Sequence, residues 1–304
     1  MNEQMCKVHV IFDFTFIYYK YKFTFESGRL KTLGDYKNTM AYHCMKEVEN
    51  IRSQICKATG CSEDVIMTTL CFDSRTDRKD EDSEYKANRT NKLTDEDYSN
   101  IAYIREAFDR IGYNVIKEEG FEADDLVYTA VSRTRCLSNR VVNVIVTIDK
   151  DLLSLVSGET CVYRYMTTKG YTLVTPANFE GYVSEKFKCD IPFNAMRYYL
   201  AVVGDKSDNI PGIKGFGTAA YSRIMRHVEI ELGADVFKVG SYEDIVSSIV
   251  SNLTDIQREE FLNSLSLVNF RACENLSKVD KRDTISSRNE AYNELGFASL
   301  AVSK

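Results

Sequence analysis

The stretch VVNVIVTIDKDLLSLV (141–156) decides the fold of this chain. Its first part, Val141–Val146, is apolar apart from Asn143 and is the clearest strand in the sequence. Asp149 follows this run almost directly, and Asp151 comes two residues later. A buried strand that leads into carboxylates predicts a sheet with acidic side chains at the ends of its strands.

The residues before this strand alternate between strand and helix patterns. Val8–Phe12 is a short apolar run that ends at Asp13, and Val65–Phe72 is a second run that ends at Asp73. Apolar residues then recur every three or four positions, which is the spacing of amphipathic helices. The alternation predicts right-handed βαβ units and an α/β fold with a mostly parallel central sheet and flanking helices. The helical stripes run from Met40 to Ile55, from Ile101 to Ile111 and from Ala123 to Val131, and Tyr113–Ile116 is a third strand.

The second half of the chain begins with a hairpin and then becomes helical. Cys161–Met166 and Tyr171–Val174 predict two paired strands. Thr175-Pro176 is typical of a helix start, with an N-cap followed by proline at the first helical position. From Phe193 onward the pattern is helical. We therefore predict a core domain over residues 1–185 and a helical region over residues 186–304.

One interval interrupts the alternation of strands and helices. Ser74–Lys92 (SRTDRKDEDSEYKANRTNK) is almost free of apolar residues and dense in charges of both signs. Such a segment cannot contribute to a core, so it indicates an exposed insertion at the carboxyl edge of the sheet. A solvated surface loop without further function is the alternative.

The composition restricts the chemistry that the chain can carry. The chain has only three histidines, and its nine cysteines are scattered without a CxxC pair. This composition argues against a zinc site and against a Ser-His-Asp triad. A net charge of −6 argues against a protein that coats nucleic acid non-specifically. No apolar run reaches membrane-spanning length, and the N-terminus lacks a signal-peptide pattern. We therefore expect a cytoplasmic protein without a membrane partner.

Carboxylates collect where the predicted strands end. Ligands of open parallel sheets bind outside the carboxyl ends of the strands, so the acids that follow the strands should converge. A single Asp in such a position is more often a cap or a turn residue, but acids at three successive strand ends favour a metal site. Glu122 and Asp125 open a helix and should share one polar face of it. The nine candidate ligands are Asp13, Asp73, Glu122, Asp124, Asp125, Asp149, Asp151, Asp205 and Asp208.

This acidic rim predicts bound cations. Carboxylates gathered at one edge repel each other unless they are protonated or bind cations. Oxygen ligands with almost no histidine or thiolate favour Mg²⁺ or Mn²⁺. Two such ions, about 3.5–4 Å apart, can activate a water and stabilise the leaving oxygen of a phosphodiester.

Four segments resemble the flap-endonuclease and 5′→3′ exonuclease superfamily, which includes the 5′-nuclease domain of bacterial DNA polymerases and stand-alone bacteriophage enzymes. FEADDL (121–126) is similar to the family's acidic helix start, and TIDKDLLSLV (147–156) to its DxDLLQL segment. VGDKSDNIPGIKGFGTAA (203–220) resembles its GDxSDNIPGVxGIGxKTA segment. EYKANR (84–89) resembles the Tyr-Lys-x-x-Arg pattern of its arch. The matches follow the family's order and cover roughly residues 8–225.

The resemblance implies a PIN-like nuclease core with a helical arch at about residues 74–105 and a helix–hairpin–helix DNA-binding motif at about 200–230. It implies that Lys86 and Arg89 contact the scissile phosphate and that Tyr85 stacks on a base. It also implies two metal clusters. The first would comprise Asp13, Asp73, Glu122, Asp124 and Asp125, and the second Asp149, Asp151, Asp205 and Asp208.

The glycine-rich stretch IPGIKGFG (210–217) predicts a tight turn whose backbone amides face outward, followed by a helix from about Thr218. Such a turn can bind a DNA phosphate without reading sequence. An ordinary turn is the alternative. The resemblance further implies a K⁺ site made by carbonyls in this motif. The candidate DNA contacts are Lys206, Gly212, Lys214, Gly215, Gly217, Arg223 and Arg226.

The sequence departs from the family pattern at two places. The usual Lys before the Thr-Ala pair is missing, because the chain has Gly217-Thr218-Ala219. The family commonly has an arginine soon after the first Asp, but this chain has no arginine there. Lys20 and Lys22 are the candidates to replace it. The resemblance fades after about residue 230, and because residues 230–304 do not resemble a polymerase domain, we expect a stand-alone enzyme of the phage type.

The resemblance implies a structure-specific, divalent-metal-dependent 5′-nuclease with flap-endonuclease and 5′→3′ exonuclease activity, used in primer removal during DNA replication or repair. Its partners would be branched or nicked DNA, RNA–DNA hybrids and replication proteins. A monomer in the cytoplasm, or in the host cytoplasm for a phage protein, is expected. Two alternatives stay open: a PIN-like ribonuclease, and a DNA-junction binding protein without turnover.

Overall fold

The computed structural model describes residues 8–74, 86, 93–135, 141–274, 276 and 285–301. The chain forms two compact units. The first unit comprises Met1–Arg75, Asn91–Ile148 and Arg271–Lys304, and the second comprises Thr76–Thr90 and Asp149–Phe270.

The first unit is built on a parallel sheet. Its strands are β1 (Val8–Asp13), β2 (Ile66–Cys71), β3 (Asn114–Ile116) and β4 (Val142–Thr147), in the spatial order β3-β2-β1-β4. Val8 pairs with Ile66 on one side and with Val142 on the other, and all three ladders are parallel. The prediction of a mostly parallel central sheet is therefore confirmed. β1 and β2, which arise from the first two apolar runs, are almost completely buried, as expected of strands in a parallel sheet covered on both faces.

Two long helices of the first unit, Tyr36–Thr59 and Asp95–Ile111, begin and end at residues that cap them. The helix Asp95–Ile111 starts with a capping box, in which Thr94 and Asp97 each bond the other's backbone N–H. It ends at Gly112, whose φ of 98° is the left-handed conformation of a glycine C-terminal cap. The helices of this unit are α1 (Thr15–Glu26), α2 (Tyr36–Thr59), α3 (Asp95–Ile111), α4 (Ala123–Arg135) and, near the C-terminus, α11 (Ile285–Glu294).

The C-terminal segment returns to the first unit. Arg288 of α11 is buried, and its guanidinium lies 2.8 Å from Glu63 and 3.5 Å from Glu49. It also donates a 3.2 Å hydrogen bond to the hydroxyl of Tyr113. The boundary between the two units therefore lies between Ile148 and Asp149, and again between Phe270 and Arg271. The functional division into residues 1–185 and 186–304 stays a prediction.

The second unit contains the predicted hairpin, followed by helices. β5 (Thr160–Met166) pairs antiparallel with β6 (Gly170–Val174), with Tyr165 opposite Tyr171. The predicted helix start at Thr175-Pro176 is wrong, because Asn178 accepts a 2.7 Å hydrogen bond from the Thr175 N–H and closes a turn first. The helices are α5 (Phe179–Phe187), α6 (Met196–Val203), α7 (Thr218–Leu232), α8 (Val236–Val239), α9 (Tyr242–Ser251) and α10 (Asp255–Val268).

The structure covers only part of the predicted arch. Of the arch expected at about residues 74–105, residues 75–85 and 87–92 lie outside the described residues, and α3 begins within its second half. Among the described residues, no helix has both the length and the apolar character that crossing a membrane requires.

Candidate active site

Three carboxylates of the second unit form the acidic cluster, which we define as Asp149, Asp151 and Asp208. One oxygen from each lies within 4.8 Å of the others. Asp149 and Asp151 follow β4, and the Asp151 N–H donates a 2.9 Å hydrogen bond to Oδ1 of Asp149 as the chain enters a short 3₁₀ turn. Asp208 lies in the loop after α6. The structure thus brings together three of the four acids that the resemblance assigned to the second metal cluster.

The loop that carries Asp208 is closed by a pair of backbone hydrogen bonds. Asp205 and Ile210 exchange both of their N–H···O bonds, at 2.9 and 2.8 Å. Glycines at both ends permit this closure. A Cβ on Gly204 would lie 2.7 Å from the Ile210 carbonyl oxygen, and a Cβ on Gly212 would lie 2.5 Å from the Gly204 nitrogen. Any side chain at either position would push the loop apart, so the GDKSDNIPG sequence fixes Asp208 in place.

The acidic cluster is electrostatically unfavourable without a cation. Burial and the neighbouring Asp208 raise the pKa of Asp149. Burial, followed by the charges of Asp149 and Asp208, raises the pKa of Asp151 well above its ordinary value. Oδ1 of Asp151 is buried, and no described residue donates a hydrogen bond to it. A buried carboxylate oxygen without a donor fits a divalent cation, which would supply the missing positive partner.

Lys86 is the described member of the predicted catalytic set, since Tyr85 and Arg89 lie outside the described residues. It is buried, with its Nζ 4.0 Å from Oδ2 of Asp208. Its backbone N–H donates a 3.0 Å hydrogen bond to the Asp208 carbonyl, and its φ is 54°. The lysine therefore brings a positive charge to the acidic cluster.

Asp205 is oriented by donors that sequence reasoning missed. The ammonium of Lys150, the Ser207 hydroxyl at 2.6 Å and the Ser207 N–H at 2.9 Å all bond to its Oδ1. Burial acts to raise the pKa of Asp205, but the hydrogen bonds from Lys150 and Ser207 outweigh it and lower that pKa. Asp205 is thus an ionised carboxylate with one oxygen saturated. Lys150 stands between Asp149 and Asp151 in the sequence, and this position could have suggested that it pairs with a neighbouring carboxylate.

The acids predicted for the first metal cluster lie in the first unit. Oδ2 of Asp13 accepts a 2.8 Å hydrogen bond from the Thr147 hydroxyl. Oδ1 of Asp73 accepts a 2.9 Å bond from the Ala123 N–H at the start of α4, and Oδ1 of Asp124 accepts one from the Asp125 N–H at 2.8 Å. In the described part of the chain, no second group of three acidic ligands lies as close together as the acidic cluster.

Asp125 and Glu122 are both buried. Oδ1 of Asp125 accepts a 2.8 Å hydrogen bond from the backbone N–H of Arg271, whose Nε lies 3.8 Å from Oδ2. The Arg271 guanidinium also donates a 3.0 Å bond to the Gly120 carbonyl. Asp125 therefore ties the returning C-terminal segment to α4. Nothing in the sequence near residue 125 could have indicated this partner, which lies 146 residues away.

The predicted DNA contacts lie on the loop after α6 and on α7. α7 begins at Thr218, as predicted, and its N-cap Gly217 offers no side-chain cap. The Lys214 N–H is not open to a ligand, because it donates a 3.1 Å hydrogen bond to Oε2 of Glu260. The exposed members of the set are Lys206, Lys214, Gly215, Gly217, Arg223 and Arg226, whereas Gly212 is buried.

Lys20 and Lys22 are engaged in ion pairs. Nζ of Lys20 lies 2.5 Å from Glu47, and Lys22 pairs with the buried Asp97. Both are thus held against the first unit, and neither provides a free counterpart to the family's arginine.

Residues 10–188 match the family described as 5′-3′ exonuclease, N-terminal resolvase-like domain. A parallel sheet whose strands lead into carboxylates and an all-oxygen acidic cluster agree with that match. The chain belongs to the 5′-3′ exonuclease family.

Bacterial DNA polymerases contain similar sequences. DNA polymerase I of Caldicellulosiruptor bescii is 34% identical over 158 residues, which cover 51% of this chain and 18% of the polymerase. The thermostable DNA polymerase I of Thermus thermophilus is 31% identical over 183 residues, covering 60% of this chain and 20% of the polymerase. The chain thus spans about a fifth of the length of these relatives.

Solved structures confirm the fold. The structure of T5 5′-exonuclease with bound zinc has a TM-score of 0.56 and 16% identity, covering 97% of this chain and all of that one. The T5 D15 protein co-crystallised with metal ions has a TM-score of 0.52 and 16% identity, covering 86% of this chain. At this level of identity the similarity shows a shared fold.

Proposed function

We propose that this protein is a structure-specific, divalent-metal-dependent 5′-nuclease. It would cut DNA phosphodiesters near 5′ ends, flaps and nicks, as flap endonuclease and 5′→3′ exonuclease. The observation that carries the proposal is the acidic cluster, in which Asp149 and Asp151 have raised pKa values and a buried oxygen of Asp151 has no donor among the described residues. Membership of the 5′-3′ exonuclease family supports it.

The metal would be Mg²⁺ or Mn²⁺, because all the ligands are carboxylate oxygens. Asp149, Asp151 and Asp208 would hold one ion, with Asp205 ionised beside them. Asp13, Asp73, Glu122 and Asp124 would hold a second, with Asp125 in a supporting role because of its bonds to Arg271. Bound divalent ions of this kind lower the pKa of a water and stabilise charge that develops on phosphoryl oxygens.

The protein's own cations would act on the substrate. Lys86, with Arg89, would neutralise charge on the scissile phosphate, and Tyr85 would stack on the adjacent base. The burial of Lys86 beside Asp208 supports this role, because it brings a cation to the acidic cluster.

The loop after α6 and the N-terminus of α7 would bind the duplex through backbone phosphates. The uncapped start of α7 and the exposed Lys214, Arg223 and Arg226 support this assignment. A K⁺ ion bound by carbonyls of this motif belongs to the same proposal.

In the cell, the protein would remove primers during DNA replication or repair. The similarity to DNA polymerase I supports a replication role, and it extends the candidate substrates to RNA–DNA hybrids. We propose that it works as a monomer in the cytoplasm, in contact with replication proteins.

Replacing Asp149 with Asn tests the proposal. The Asn side chain keeps the size of Asp but loses the charge that holds the metal. We expect cleavage of a 5′-flap duplex in Mg²⁺ to fall by more than the roughly hundredfold that loss of an outer-shell partner costs, while binding of the flap persists. Asp255→Asn, at an exposed position on α10, is the matched control and should cut normally. An Asp149→Asn variant that cuts as fast as the control would disprove the proposed site.

A further inference from the structure

Besides Lys86, three cations of the second unit form a group near the acidic cluster: Lys150, Arg164 and Lys186, of which Lys186 is close enough to feel the charges of the other two. Arg164 is on β5, and only 6% of it is exposed. Its Nε donates to the carbonyl oxygen of Asp149 at 3.4 Å, and its Nη1 donates to the hydroxyl of Tyr182 at 3.1 Å. Both acceptors are neutral. A buried guanidinium without a carboxylate partner is costly, because its desolvation is not repaid by an opposite charge.

Lys186 is the second cation of this group without a carboxylate partner. It lies one turn after Tyr182 on α5, and residues four apart share one face of a helix. The face that bonds Arg164 therefore also carries Lys186. Lys186 is exposed and forms no ion pair with any described residue. Although much of the side chain is exposed, partial desolvation of its ammonium, followed by the charges of Arg164 and Lys150, lowers the pKa of Lys186 to about 8.

Only one of the three cations is neutralised. Lys150 bonds the carboxylate of Asp205 and lies 3.1 Å from the Ser207 hydroxyl. Arg164 and Lys186 are left as neighbouring positive charges, one buried and one at the surface. Such an arrangement is unfavourable in the free protein and becomes favourable when an anion binds between the two groups. The connection of Arg164 to Asp149 locates this anion next to the acidic cluster.

We propose that Arg164 and Lys186 form a subsite for a backbone phosphate of the DNA, adjacent to the phosphate that the acidic cluster would act on. The inference rests on the proposed function for its ligand. The buried Arg164 provides a planar guanidinium that suits phosphate oxygens, and the exposed Lys186 provides a flexible ammonium at the surface. Neither residue reads the base sequence, so the subsite would position the strand.

A purely structural role for Arg164 predicts something different. A guanidinium that only ties β5 to α5 would not need Lys186, and loss of the lysine would then leave DNA binding unchanged. The decisive variant is therefore Lys186→Gln, at an exposed position where the fold does not depend on the side chain. Lys186→Arg keeps the charge. Lys188→Gln, two residues along and also exposed, removes the same charge outside the subsite.

The experiment measures binding of a labelled 5′-flap duplex by fluorescence anisotropy, with Ca²⁺ in place of Mg²⁺ and over a range of salt concentrations. We expect Lys186→Gln to weaken binding roughly three- to tenfold and to reduce the slope of log K against log salt by about 1, as for one lost phosphate contact. Lys186→Arg and Lys188→Gln should bind like the wild type. Wild-type affinity and slope in Lys186→Gln, or an equal loss in Lys188→Gln, would overturn the subsite.

Cleavage of the same duplex in Mg²⁺ separates this inference from the proposed function. A wild type that cuts the flap, with an unchanged salt slope in Lys186→Gln, would overturn the subsite alone. A wild type that binds but does not cut, with a reduced slope in Lys186→Gln, would overturn the nuclease assignment and keep the subsite. Absence of DNA binding by the wild type would overturn both.

Discussion

The backbone N–H of Lys214 donates a 3.1 Å hydrogen bond to Oε2 of Glu260, which lies on α10. The glycine-rich turn around Lys214 was expected to offer its amides to a DNA phosphate. A carboxylate of the protein therefore occupies one donor of that turn. An anion held in this place both stabilises the turn and repels a second anion.

Replacing Glu260 with Gln should tighten binding of duplex DNA. The Gln amide oxygen can still accept from Lys214, but the negative charge is gone. We expect a roughly three- to tenfold gain in affinity at low salt that shrinks as salt screens the charge. Anisotropy titrations of a blunt duplex would measure it. Glu259→Gln, at the exposed neighbouring position, is the control for net charge, and an equal gain there would refute the specific role of Glu260.

Replacing Asp151 with Asn should stabilise the metal-free protein. Because the pKa values of Asp149 and Asp151 are raised on folding, ionisation of these groups opposes folding. Stability is then lost as the pH rises from the ordinary Asp pKa of about 3.9 through the raised values. In EDTA at neutral pH, we expect Asp151→Asn to melt roughly 2–4 °C higher, the shift for about 1 kcal/mol in a large domain.

The pH dependence of that difference is the check. The advantage of Asp151→Asn should grow from acid to neutral pH in EDTA and should reverse in Mg²⁺, which stabilises only a protein that binds it. A variant that melts below the wild type in EDTA at neutral pH would contradict the repulsion that we infer in the acidic cluster.

Replacing Lys150 with Met should destabilise the protein, because it leaves the buried Asp205 carboxylate without its ammonium partner. The pKa of Asp205 is lowered on folding, so its contribution is present above the ordinary Asp pKa and is lost as the pH falls through the lowered value. We expect a loss of about 1–3 kcal/mol at neutral pH in urea unfolding, and no difference from the wild type in strong acid.

Lys169→Met is the matched control for Lys150→Met. Lys169 pairs with Glu185 at 3.2 Å, but both side chains are exposed, and exposed pairs contribute little. Equal unfolding midpoints for the Lys150→Met and Lys169→Met variants would show that the Lys150–Asp205 pair does not stabilise the fold.

Asp124 and Asp125 should respond differently to replacement by Asn. Asp125 is fully buried and bonds Arg271, so Asp125→Asn should cost about 1–3 kcal/mol of unfolding free energy. Asp124 is half-buried, and its replacement should lower Mg²⁺-dependent cleavage while the melting temperature stays unchanged. The opposite pattern, with a stable Asp125→Asn and an unstable Asp124→Asn, would reverse the two assignments.

The strands were predictable because burial and local sequence agree. β1, β2 and β4 are apolar runs bounded by acids, and the structure places each within a residue or two of the predicted range. α1 was missed for the opposite reason. Its sequence, TFIYYKYKFTFE, is rich in aromatic residues that favour strands, and its helical form depends on the burial of Phe16, Ile17 and Tyr18.

The acids themselves were predictable, but their partners were not. Position at a strand end identified Asp149 and Asp151, and the GDKSDN segment identified Asp208. The hydrogen bonds of Lys150 and Ser207 to Asp205 depend on the closure of the loop after α6. The contact between Arg271 and Asp125 depends on the return of the C-terminal segment to the first unit. Both arise from tertiary packing, which leaves no local pattern.

Cleavage of a labelled 5′-flap duplex, measured beside a blunt duplex and single-stranded RNA, tests the central claim most directly. Each substrate would be incubated with Mg²⁺ and, separately, with EDTA. We expect cutting at or near the flap junction in Mg²⁺ and none in EDTA, because the acidic cluster needs a divalent ion to act on a phosphodiester. An intact flap in Mg²⁺, or cutting of the RNA alone, would contradict the assignment as a structure-specific 5′-nuclease.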